Sequence, residues 1–331
     1  MQVSDLPVLF EIDGAIATLT LNRPAAGNTV NQPMADALLD AAMRCDTDPA
    51  IRCVVLTGMG KLFCGGGDIS AFADAGDQVP VFLNRLAGTL HMAVTRLLRM
   101  PKPLLVLVNG PAAGAGLSLA ISGDVVIAAE SAHFTAAYGS VGLTPDGGMS
   151  WLLPRHVGLR RAQEIIITNR RVSAEDAATI GMVTRTVPDA DFAEEGARTA
   201  QMLAHSATAS IAGAGALLLE SASSPLESQL EHETRAITAA GGSDECQAIL
   251  EIDAGQRRGQ IAHVVGGRAD QAAQLAERPV GGRDWHLVFG QDQRETFGLV
   301  TAGFAPYLTP TPLHSRCHGA TDRAPCSRTG R

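Results

Sequence analysis

Two glycine-rich stretches carry residue types at a spacing that chemistry can use. They are Phe63-Cys64-Gly65-Gly66-Gly67-Asp68-Ile69 and Asn109-Gly110-Pro111-Ala112-Ala113-Gly114-Ala115-Gly116-Leu117. Each follows a short aliphatic or β-branched run, residues 51–57 and 104–108, and each leads into a segment able to form helix. Strand, glycine turn and helix start aim backbone N–H groups at a ligand, because the first four amides of a helix lack internal partners. Two such turns can give one amide each to a single oxygen, forming an oxyanion hole. A third stretch, Gly142-Leu143-Thr144-Pro145-Asp146-Gly147-Gly148, adds a carboxylate. An Asp between Pro and Gly-Gly is by default a turn former. With Val141, Leu143, Met149, Trp151 and Leu152 close in sequence, Asp146 is also set in the apolar surroundings that suit a proton shuttle.

Elements on either side must position these groups. Residues 8–21 read as a β-hairpin turning at Asp13-Gly14. Asn31, followed by Pro33, opens an amphipathic helix to about Arg44. A buried strand over 51–57 precedes the first glycine turn. A polar loop around 74–78 separates that turn from a long helix over 81–99, which Pro101-Lys102-Pro103 stops before the strand at 104–108. Further strands are expected at 124–129 and 183–187, and helices from 149, over 160–168, and after the Ser173-Ala174-Glu175-Asp176 capping box. Residues 191–205, 206–222 and 226–240 read as Ala/Leu-rich helices. Strands alternating with helices predict an α/β fold with a late helical appendage that packs on a partner.

Composition removes several function classes. The chain has 331 residues, 46% of them apolar, enough for one large core. A net charge of −8 and the lack of a basic run with interleaved aromatics exclude a nucleic-acid surface. The cysteines (45, 53, 64, 246, 317 and 326) form neither a CxxC pair nor a Cys/His cluster of zinc-like spacing, so no metal is expected. Reduced thiols and a cytoplasmic location follow, with no signal peptide expected from an acidic N-terminus. The uncharged stretch between Lys102 and Asp124 is long enough for a bilayer but too rich in Gly, Ala, Ser and Asn. A buried strand, turn and helix account for it, so no membrane is expected. Residues 262–331 hold eight Arg, no Lys and six acids, with Gly-Gly pairs and no sustained periodicity, and read as loosely structured.

Taken together, Phe63-x-Gly-Gly-Gly-Asp-Ile, Asn109-Gly-Pro-Ala-Ala-Gly-Ala-Gly, and Gly142-Leu-x-Pro-Asp-Gly-Gly with Leu153-Pro154-Arg155 resemble the enoyl-CoA hydratase/isomerase (crotonase) family. Leu21-Asn22-Arg23-Pro24 with Asn28 resembles the family's first CoA-contacting loop. The likeness covers about residues 8–250. It implies a crotonase-like spiral of ββα repeats over residues 1–195, a helical trimerisation region over 196–258 and an atypical tail over 259–331. It also implies homotrimers or dimers of trimers, and an acyl-CoA thioester substrate with no permanently bound cofactor. The thioester oxygen would sit between the N–H groups of Gly67 and Ala115, with Gly66 and Gly114 lining the approach. Arg23, Asn28, Phe63, Cys64, Gly65, Asp68 and Ile69 would contact CoA, and Tyr138 and Leu143 would line the acyl pocket.

Departures from the family pattern discriminate among activities. The family's hydratases carry two glutamates, at positions that count here to Ser118 and Tyr138. Asp146 falls instead where the enoyl-CoA isomerases and the phenylacetate-pathway ring isomerase place a single acid. The resemblance therefore implies an isomerase that carries a proton between the α and γ carbons of an enolate. The alternatives are a hydratase or lyase using Asp146 with water, and a catalytically silent acyl-CoA-binding or structural trimer. Ser118 lies in no Gly-x-Ser-x-Gly elbow and reads as a core serine. Cys64 reads as a small buried side chain, and His91 and His133 as ordinary surface or packing residues.

Overall fold

The computed structural model describes residues 6–256. β1 (Val8–Asp13) and β2 (Ile16–Leu21) form the expected antiparallel hairpin, with Gly14 at φ +57° in its turn. α1 (Gln32–Thr47) starts at Asn31, whose side chain accepts from Met34 N–H at 3.1 Å. β3 (Cys53–Gly58) leads into the first glycine turn, which ends in α2 (Ile69–Asp74). α3 (Val79–Arg99) precedes β4 (Leu104–Val108), and β5 (Ala112–Ala113) and α4 (Ala115–Ala120) carry the second glycine turn. β6 (Val125–Ala129) and β7 (His133–Thr135) lead to the Asp146 loop, then α5 (Met149–Val157) and α6 (Leu159–Thr168). β8 (Val172–Ser173), α7 (Ala174–Thr179) and β9 (Arg185–Val187) close the core. α8 (Phe192–His205), α9 (Thr208–Ser221), α10 (Leu226–Gly241) and α11 (Asp244–Gln256) follow.

The main sheet runs β1-β2-β3-β4-β6-β9, parallel from β2 onward, and a second sheet runs β5-β7-β8. Central strands are apolar on both faces, as parallel strands covered on both sides require. Val54 and Leu56 of β3, Val106 and Val108 of β4, and Val126 and Ala128 of β6 join one core with α1, α3, α4 and α5. The alternate residues Cys53, Val55, Leu105 and Ile127 join another with Ala200, Leu203 and Ala204 of α8. This period of two divides the side chains between the layers. α8 thus covers this second face of the sheet.

The small second sheet has no counterpart in the sequence reading, since strands of two or three residues leave no periodicity to detect. The loop expected around residues 74–78 is partly helical, as α2 extends to Asp74. Residues 102–124 fold as strand, turn and buried helix. Among the described residues no single helix is long and apolar enough to cross a membrane. The tail expected over 259–331 lies outside the described residues.

Candidate active site

The two glycine turns are in direct contact. Cys64 and Ala112 pair as a parallel bridge, with Ala113 N–H donating to Cys64 O at 2.9 Å. Gly66 has φ +99°, and a Cβ there would stand 2.9 Å from Ala113 O. At Gly116 a Cβ would meet Cys64 O at 2.2 Å, so only glycine allows this approach. Val30 N–H donates to Gly66 O at 2.7 Å and Asp68 N–H to Val30 O at 3.0 Å. That ladder turns the intervening Gly67 N–H away from Val30. Ala115 is the first residue of α4, where an amide has no intrahelical acceptor. Neither Gly67 N–H nor Ala115 N–H has a hydrogen-bond partner among the described residues. Both amides are thus available to a ligand oxygen.

Asp146 stands beside the first turn of α4. Ser118 Oγ donates to Asp146 O at 2.9 Å, and a Cβ at Gly147 would lie 2.8 Å from Ser118 Cβ. Three residues of helix separate Ser118 from Ala115, a rise of about 4.5 Å. Tyr138 Oη donates to Asp146 Oδ1 at 2.6 Å, and Ser118 Oγ is 3.3 Å from Tyr138 Oη. Tyr138 is 8% exposed. Burial, then the neighbouring Asp146 carboxylate, pushes its phenol well above the usual tyrosine range, so it keeps its proton and donates. Gly147 N–H donates to His91 Nε2 at 3.0 Å, which fixes the loop against α3. Asp146, Ser118 and Tyr138 are therefore one cluster, with His91 one residue away.

Several expected CoA contacts do other work. Asn28 is fully buried: its Nδ2 donates to Met59 O, Leu62 O and Phe63 O at 2.8–3.2 Å, and its Oδ1 accepts from Arg23 N–H. Phe63 and Cys64 are also 0% exposed. Side chains so enclosed brace the loop from inside. These three residues are corrected from ligand contacts to internal supports of the glycine loop. Cys64 Sγ faces Asn28 O at 3.1 Å, and burial pushes the thiol up to about 12, which leaves it unreactive near neutral pH. Gly65 N–H is bonded to Gly27 O at 2.8 Å. Arg23 and Asp68 form an ion pair at 2.9 Å and are partly exposed.

Ile69 and Leu143 come together, with Phe72, Ala73, Val79, Leu83 and Val141, around an apolar cavity of about 290 Å³. Phe72 abuts Gly67 closely enough that a Cβ there would lie 2.5 Å from its Cζ. The cavity wall therefore reaches Gly67. Sequence reasoning missed Phe72, although residues 69, 72 and 73 have the spacing of one helix face. His91, expected as an ordinary surface or packing residue, is exposed and accepts the Gly147 N–H, a loop bond that no periodicity reports. His133 is bonded to Arg171 at 2.9 Å and plays no part here. A larger cavity of about 530 Å³, lined by Arg52, Lys102, Asp124, Ala212 and Glu245 among others, contains none of these residues.

Comparison with known proteins gives the same picture. The model of the enoyl-CoA hydratase/isomerase family matches residues 11–255. The chain is 38% identical over 248 residues to the 1,2-epoxyphenylacetyl-CoA isomerase of Escherichia coli, covering 71% of this chain and 90% of that protein. It is 37% identical over 248 residues to a Rhodobacter capsulatus protein named "Probable enoyl-CoA hydratase", covering 74% and 95%. The crystal structure of an enoyl-CoA hydratase from Polaromonas sp. JS666 superposes with a TM-score of 0.72 at 30% identity, over 75% of this chain and 97% of that one. On fold, motifs and sequence match, the chain belongs to the enoyl-CoA hydratase/isomerase family, with the family's crotonase-like fold.

Proposed function

We propose that this chain is an acyl-CoA isomerase that moves a double bond by proton transfer through an enolate. The observation that carries the reading is the single carboxylate of the cluster, Asp146, with hydroxyls at Ser118 and Tyr138 where the family's hydratases have glutamates. Water addition is served by two carboxyls that position and split the water. A 1,3-proton shift needs only one, which removes a proton from one carbon and returns it to the other. The thioester oxygen accepts from Gly67 N–H and Ala115 N–H as charge develops on it. Each such donor is worth about 10²–10³-fold in rate. Arg23 and the accessible part of the glycine turn, residues 65–69, hold CoA. The cavity at Ile69, Phe72 and Leu143 takes the acyl group.

Similarity to the isomerase of Escherichia coli supports this reading. Hydration at Asp146 is the second reading, and the name of the Rhodobacter capsulatus relative favours it. The helices beyond α8 serve assembly in trimers, a reading supported by Leu218, Leu226 and Ile237, exposed by 74%, 67% and 74%. Assays with 3-enoyl-CoA and 2-enoyl-CoA separate isomerisation from hydration. Isomerisation abolished by Asp146→Asn supports the proposal, and isomerisation left unchanged by that substitution rejects it.

A further inference from the structure

Tyr138 and Ser118 do more than replace lost acids. Oδ1 of Asp146 accepts from the Tyr138 phenol at 2.6 Å, within the short range of charge-assisted O–H···O⁻ bonds. Oδ2 has no hydrogen-bond partner among the described residues. The Ser118 hydroxyl gives its proton to Asp146 O at 2.9 Å, so it turns a lone pair towards the phenol, 3.3 Å away. Between these two acceptors the phenol's proton goes to Oδ1, which is charged and nearer, at 2.6 Å against 3.3 Å. The titratable groups bonded to the Asp146–Gly147 turn are Tyr138 and, through Gly147 N–H, His91 of α3.

From this geometry we infer that Tyr138, with Ser118 anchoring the Asp146 backbone beside it, is a positioning residue that occupies Asp146 Oδ1 and leaves Oδ2 as the proton-carrying atom. The inference rests on the isomerase reading. In the step, Oδ2 takes a proton from carbon and the C–H electron pair enters the dienolate. The same proton then returns from Oδ2 to the other terminal carbon, regenerating the carboxylate. The phenol proton stays on Tyr138 throughout, in line with the burial and the Asp146 charge that both hold it there. A carboxylate pinned at one oxygen keeps its other oxygen over the acyl chain, so both transfers use one geometry.

The test compares Tyr138→Phe, Ser118→Ala and Asp146→Asn in the full chain, with 3-enoyl-CoA as substrate. Tyr138→Phe removes only the hydroxyl. Its kcat is expected to fall about 10- to 100-fold with little change in KM, as misplacement of a reacting group does. Ser118→Ala is expected to lower kcat in the same way by less, and it carries the test if Tyr138→Phe does not fold. An unchanged kcat in the folded variants would overturn the inference, as would a rise in KM alone, which marks a pocket wall. Isomerisation surviving Asp146→Asn overturns the functional reading itself. Loss in Asp146→Asn with a silent Tyr138→Phe overturns only the positioning role.

Discussion

Arg23 and Asp68, 45 residues apart in the chain, meet with Nη2 2.9 Å from Oδ2, next to the Gly67 amide. The other carboxylate oxygen of Asp68 accepts from Ala71 N–H at 3.4 Å and caps α2. Arg23 Nη1 donates to Thr29 O at 2.5 Å. One ion pair thus ties the first loop, the glycine turn and the short helix together. Asp68→Asn keeps a side chain that caps well but removes the charge. With side-chain exposures of 24% and 14%, the pair lies between surface and buried cases. The expected loss is about 1–2 kcal/mol, between the small value of exposed pairs and the several kcal/mol of buried ones. A double-mutant cycle with Arg23→Gln, read by denaturant unfolding, measures the coupling. Strict additivity would show that the two side chains act separately.

Asn28 offers a sharper contrast between binding and support. Its removal strands three loop carbonyls inside the protein, a loss of about 1–3 kcal/mol for an unsatisfied buried group, more if all three stay unpaired. Asn28→Ala is expected to lower Tm by several degrees, at roughly 2–4 °C per kcal/mol for a domain of this size. Asn28→Asp is expected to be worse, since a carboxylate would face carbonyl oxygens. A variant with unchanged Tm and a raised KM for acyl-CoA would restore the ligand-contact role.

The strands and helices that carry the site were legible because their patterns are local. The apolar runs at 51–57 and 104–108 became β3 and β4, and the glycines between them and α2 and α4 became the touching turns. The family resemblance also singled out Asp146 together with positions 118 and 138. What sequence could not show was direction. Asn28 and Arg23 stand in the same loop, but one points into the protein and the other towards its surface. Tyr138 read as a pocket wall because nothing in its own neighbourhood indicates that its hydroxyl meets a carboxylate eight residues on. Such bonds depend on how β7, α4 and the Asp146 loop converge, which is a tertiary fact. The long reach of Phe72 to Gly67 belongs to the same class.

Gly67 and Phe72 make a second coupled pair, this time steric. A methyl group at position 67 would collide with Phe72 Cζ at 2.5 Å, although the Gly67 amide itself would remain. Phe72 is held edge-on to Phe82, with ring centroids 5.9 Å apart, so it does not swing away freely. Gly67→Ala alone is expected to reduce kcat by tilting the amide, since donors must stay aimed at the developing oxyanion. Gly67→Ala with Phe72→Ala is expected to recover part of that loss, because the collision is gone. A double variant no better than the single one would place the damage in the backbone.

Glu195 predicts how stability responds to acid. It joins α8 to β9: Arg185 Nη2 lies 2.7 Å from Oε1, and Arg198 Nε lies 2.9 Å from Oε2. The Arg198 hydrogen bond is the main cause that holds its carboxyl below the ordinary glutamate value of 4.5; burial opposes it and Arg185 adds to it. A carboxyl with a depressed folded value binds its proton less readily when folded than when unfolded. Its contribution is therefore complete above about pH 4.5 and is lost as pH falls from there through the lower folded value. Glu195→Gln removes that dependence while keeping the side chain's size. Unfolding free energies measured from pH 7 down to about 3 should fall less steeply below pH 4.5 in the variant than in the parent. Parallel curves would mean that Arg185 and Arg198 hold Glu195 no differently in the folded chain than water does in the unfolded one.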